Sequence, residues 1–95
     1  MSKNILVVAE VRDGAVKNVT FEMLGKAATL AAEMGGVAEA ALLGSGVADQ
    51  VDSLAHYGAA KVYLADDPAL ETFSSEGYAN VVAGIIQQAE PAAVL

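Results

Sequence analysis

Near its start the chain runs Ile5-Leu6-Val7-Val8-Ala9, five apolar residues with no polar residue between them. A strand with one wet face alternates apolar and polar positions. An unbroken β-branched run marks a strand covered on both faces, as in the middle of a parallel sheet. Parallel neighbours cannot be joined by a tight turn and need a crossover, most often a helix. The rest of the sequence supplies such crossovers.

The first strand gives way to Glu10-Val11-Arg12-Asp13-Gly14, where Asp-Gly is a turn signal. Thr20 is a suitable N-cap for the next segment, with Glu22 opposing the positive end of the helix dipole. Phe21, Leu24, Ala28 and Ala31 form one apolar row at helical spacing, and Met23, Ala27, Leu30 and Met34 form a second beside it. These rows predict a helix buried over a wide arc, ended by Gly35-Gly36. A second strand covers 37–43, diluted by Glu39 and alanines, and Gly44-Ser45-Gly46 turns it into a short helix. That helix is expected to point Val47, Val51, Leu54 and Ala55 inward, and Gly58 closes it. Lys61-Val62-Tyr63-Leu64-Ala65 is the third strand, stopped by Asp66-Asp67-Pro68. Ser74 or Ser75 opens a third helix whose Tyr78, Val81, Val82, Ile85, Ile86 and Ala89 keep one face. Glu90-Pro91 ends it, because a residue before proline avoids the helical region. Ala92-Ala93-Val94-Leu95 begins a fourth strand, and the chain stops inside it.

The expected architecture is therefore a single α/β domain, a three-layer parallel sheet with right-handed crossovers. Its strands lie near 4–9, 37–43, 61–65 and 92–95, and its helices near 20–34, 47–57 and 75–89. A doubly wound sheet normally continues for further units, so the chain reads as a fragment or minimal domain with one edge unpaired. In 95 residues a hydrophobic share of 55% needs both sheet faces covered, or leaves apolar surface for a partner.

Charge narrows the partners. Twelve acids against five bases give a net charge of −7, and Lys3, Arg12, Lys17, Lys26 and Lys61 are scattered. No phosphate-binding stripe forms, which argues against nucleic acid and anionic membrane surfaces. Without cysteine there is no disulfide, thiolate zinc site or thiol catalysis. No apolar stretch reaches the roughly 20 residues that span a bilayer, and no signal-peptide pattern is present. The cytoplasm is the expected compartment.

Few residues invite chemistry. The loop after the first strand, Ala9 to Gly14, lacks the glycines that let a backbone approach a pyrophosphate. Gly25-Lys26-Ala27 lies within a helix and has no P-loop context. Gly44-Ser45-Gly46 is the best anion-binding candidate, since amides would cluster where a helix begins; a plain strand-to-helix turn explains it more simply. With Glu10 it defines a candidate crevice of Glu10, Gly44, Ser45 and Gly46. His56 has no partner arguable from spacing and suits a helix C-terminus. Asp66-Asp67-Pro68 fits turn and cap chemistry better than metal ligation, with Glu71 and Glu76 at unconvincing spacing. Tyr57, Tyr63 and Tyr78 read as packing residues with surface hydroxyls. No catalytic residue and no metal ligand is expected.

Several phrases in this order match a known family. Ile5-Leu6-Val7-Val8-Ala9-Glu10 followed by Arg12-Asp13-Gly14 resembles the opening of electron-transfer flavoprotein α subunits. The run from His56-Tyr57-Gly58 through Lys61-Val62-Tyr63-Leu64-Ala65 to Asp66-Asp67-Pro68 is similar to that family's middle region. Tyr78-Ala79, Glu90-Pro91 and the short strand after them continue the likeness, which covers essentially all 95 residues. The resemblance implies the N-terminal domain of such a subunit, with a nucleotide-hydrolase-like (Rossmann-like) fold that packs against a β subunit. It also implies an electron carrier rather than an enzyme. The parent heterodimer carries FAD, held chiefly by the α subunit's C-terminal domain, and no family flavin contact maps onto a residue here. The isolated chain is thus expected to be free of FAD, and a homodimer is one way it could cover its apolar surface. The competing reading is a small AMP- or ATP-binding module resembling universal stress proteins, using the crevice between Ala9-Glu10 and Gly44-Ser45-Gly46.

Overall fold

The computed structural model describes residues 3–70 and 76–95. In chain order these form β1 (Ile5–Val8), β2 (Val11–Arg12), β3 (Ala15–Val16), α1 (Asn18–Met34), β4 (Ala38–Gly44), α2 (Val51–His56), β5 (Lys61–Asp66), α3 (Glu76–Ala89) and β6 (Ala93–Val94). Short 3₁₀ turns, Ala48–Gln50 and Pro68–Leu70, precede α2 and follow β5. The opening of α3 at Ser74 or Ser75 and the position of Glu71 lie outside the described residues.

Four strands make one parallel sheet in the order β5-β4-β1-β6. Ile5 pairs with Ala38 on one side and Ala93 on the other, while Glu39 pairs with Lys61. The chain thus steps outward from β1 to β4 and β5, then crosses back to place β6 on the far side of β1. The reversal lies between β1 and β6, where a doubly wound sheet opens a crevice at its carboxyl ends.

The two sheet faces carry separate cores. Ile5, Val7, Ala40 and Leu42 pack with Leu24, Ala27 and Ala31 of α1 and with Leu54 of α2. Leu6, Ala41 and Leu43 pack on the opposite face with Tyr78 and Ile85 of α3. This two-sided burial is why β1 lacks alternation: Ile5, Leu6 and Val7 are each at most 1% exposed. Every residue of β4 is buried, and its alanines leave room for helices on both faces.

α1 ends in a Schellman arrangement. Gly35 is left-handed (φ 85°), and the N–H groups of Gly35 and Gly36 donate to the carbonyls of Ala32 (3.1 Å) and Ala31 (2.8 Å). Gly36 must also be glycine for space, since a Cβ there would overlap the Lys3 carbonyl.

Four local expectations need correction. Between β1 and α1 the chain forms an antiparallel hairpin pairing Val11 with Val16 and Arg12 with Ala15. Asp13 (φ 54°) and Gly14 (φ 78°) are both left-handed, as a type I′ turn requires. Strands of two residues are too short to show a period, so only the turn was visible in the sequence.

Second, Thr20 does not cap α1. The helix begins at Asn18 after an extended Lys17, and no side chain caps it. Thr20 is buried, and its Oγ1 accepts the Glu10 N–H at 2.9 Å. The hydroxyl serves the strand-to-hairpin junction instead of its own helix.

Third, α1 is buried over a narrower arc than its two apolar rows suggest. Of the second row Ala27 is fully buried, while Leu30 is 48% and Met34 38% exposed. α1 packs over β1 and β4, and a two-residue β6 gives its outer flank little to rest on.

Fourth, Val47 and Leu54 point inward, but Ala55 is exposed. The 3₁₀ turn winds three residues per turn, so the inward phase of the following α-turn shifts from the one a continuous α-helix would give.

Candidate functional site

The carboxyl ends of β1, β4 and β5 form the end of the sheet where α/β proteins place ligands. There the Gly44-Ser45-Gly46 turn leaves the sheet. Gly44 still belongs to β4 and sits beside Asp66 of β5. A Cβ on Gly44 would come 2.9 Å from a methyl of Val47, which is fully buried beneath the turn. Gly46 takes φ 70° and turns the following amides together.

Those amides already hold an anion, supplied by the chain itself. The Gly46 N–H donates to Oδ1 of Asp66 at 2.7 Å, and the N–H groups of Val47 and Ala48 donate to Oδ2 at 3.0 and 3.1 Å. The next residue continues the lock: the Asp67 N–H donates to the Gly44 carbonyl at 2.9 Å. The Asp67 carbonyl in turn accepts the Leu70 N–H at 2.8 Å, closing the Pro68–Leu70 turn. Asp66-Asp67-Pro68 is thus a cap and turn in this structure. Among the described residues no group of three or more His, Cys, Asp or Glu could hold a metal ion.

Beside this turn lies a crevice of about 410 Å³, walled by Gly44 and Ser45, by Asp13 and Gly14 of the hairpin tip, and by Leu70 and Tyr78. No lysine or arginine is among its described lining residues. Burial pushes the Tyr78 hydroxyl above its ordinary pKa, because the phenolate would lose hydration there. Tyr78 thus packs as expected, but its hydroxyl is drawn in from the surface where it was expected.

The four crevice residues named from the sequence do not converge on one site. Gly44 and Ser45 line the crevice, and the Gly46 amide faces Asp66. Glu10 lies apart, at a small gap of about 110 Å³ between β1, α1 and Leu95. Its backbone is spent on structure, donating to Thr20 Oγ1 and accepting the Lys17 N–H at 2.9 Å. Its carboxylate stands 3.9 Å from the Lys17 ammonium, and both side chains are well exposed, so the pair adds little.

His56 ends α2 on the surface, its ring edge-on to Tyr57 at 5.3 Å, and Tyr57 in turn stacks 4.4 Å from Phe21. Lys61 sits over the Tyr63 ring, 4.7 Å from its centroid. Two residues matter more than the sequence suggested. Gln50 accepts the Val16 N–H on Oε1 at 3.2 Å and ties the hairpin to the α2 region. Glu39 is only 6% exposed, and its Oε1 has no hydrogen-bond partner. An isolated acid in an alanine-rich strand gave no sign that its face would be covered by α3.

Comparison with known proteins gives these features a lineage. Residues 5–95 match the family model described as electron transfer flavoprotein domain. The electron transfer flavoprotein subunit alpha of Bacillus subtilis (strain 168) is 39% identical over 95 residues, covering 100% of this chain and 29% of the relative. A lactate dehydrogenase (NAD(+),ferredoxin) subunit, LctC of Acetobacterium woodii, is 38% identical over 93 residues, covering 98% and 22%. The electron transfer flavoprotein subunit alpha of Megasphaera elsdenii is 38% identical over 89 residues, covering 94% and 26%. The chain thus spans less than a third of the length of these relatives. By the match of nearly its whole length, the chain belongs to the electron transfer flavoprotein domain family.

Proposed function

We propose that this chain acts as the N-terminal structural and interaction domain of an electron-transfer flavoprotein α subunit, not as a flavin- or nucleotide-binding unit in its own right. The observation that carries this reading is the Asp66 carboxylate, which takes three neighbouring amides at the sheet's carboxyl end. A flavin dinucleotide would bring a pyrophosphate, and the residues present do not fit one. The clustered amides are engaged internally, and the adjoining crevice has no cation among its described lining residues. The same features weigh against the AMP- or ATP-binding alternative. FAD then belongs to the parent assembly, bound outside this chain, and the chain's own part is to fold, dock and position. It is a component of an electron carrier rather than an enzyme.

The docking partner in this reading is a β subunit of the same kind of flavoprotein. Exposed Val19, Leu30, Met34, Val37, Leu64, Val94 and Leu95 supply apolar surface for such a contact. Size-exclusion chromatography with light scattering on the chain, alone and mixed with a family β subunit, tests it. A 1:1 heterocomplex is expected. A chain that stays separate at tens of micromolar would refute the interaction role.

A further inference from the structure

We draw no further inference here: the strongest candidate, the apolar flank of α1 formed by Val19, Leu30 and Met34 beside the outer edge of β6, carries nothing because nothing in the structure shows what covers it.

Discussion

Asp66 joins two parts of the sheet's carboxyl end through a single side chain. Its two oxygens satisfy three backbone donors and pin the end of β5 to the loop leaving β4. Hydrogen bonds to a charged acceptor are stronger than neutral ones, and removing the acceptor leaves amides to find water. Asp66→Ala should therefore cost about 2 kcal/mol in urea denaturation. Asp66→Asn, which can still accept through one oxygen, should lose less. Equal stability of wild type and Asp66→Ala would show that the lock contributes nothing. Tyr78 sets a different dependence. Its folded-state pKa is raised by burial, so the native state holds the phenol proton more tightly than the unfolded chain does. The stabilisation is complete below the unfolded value near 10 and is lost as pH rises through the folded one. Urea midpoints should therefore fall by more in the wild type than in Tyr78→Phe as the pH rises past 10. Parallel curves would place the hydroxyl in water. Glu39 has the opposite character, a buried oxygen with no partner in a strand whose other residues are apolar or small.

At the scale of elements, what the sequence disclosed follows from how many residues share in each signal. β1 declared itself through four consecutive apolar positions because both faces are covered. The apolar face of α3 spans several turns, and Tyr78 and Ile85 are indeed its buried members. The hairpin was illegible because its strands have two residues each and its anchors, Thr20 and Gln50, come from elements beyond it. The start of α1 and the phase of α2 shifted for a related reason. A threonine was recruited by the neighbouring loop, and a 3₁₀ turn reset the count. The crevice proposal failed to gather its four residues because adjacency beyond a sheet edge depends on loop paths that no period encodes. The filling of the Gly46–Ala48 amides was hidden too, since Asp66 lies some 20 positions away from them. The hairpin makes its own prediction. Gly14 has open space around it but a left-handed φ of 78°, so Gly14→Val strains the turn without touching the core. Amide exchange at Lys17, which donates to the Glu10 carbonyl across the hairpin, and at Val16, which donates to Gln50, should quicken several-fold, while Val7 and Leu42 exchange as before. Unchanged hairpin protection would mean that the turn is not what holds the pair.

For the molecule as a whole, the sheet order and the internal lock point the same way. The parallel sheet puts its loops where a nucleotide fold would bind phosphate, yet the best cluster of amides there already has a carboxylate in it. A net charge of −7 adds a long-range penalty against any polyphosphate. What remains is a compact scaffold with apolar residues on its outside, similar to relatives in Bacillus subtilis and Acetobacterium woodii that are more than three times its length. In the role proposed for it, this scaffold holds no flavin or adenine nucleotide of its own. Native mass spectrometry of the purified chain, as isolated and after incubation with excess FAD or AMP, tests it most directly. A mass equal to the polypeptide alone is expected in every case, whether monomer or oligomer. A stoichiometric FAD or AMP increment that survives desalting would contradict it.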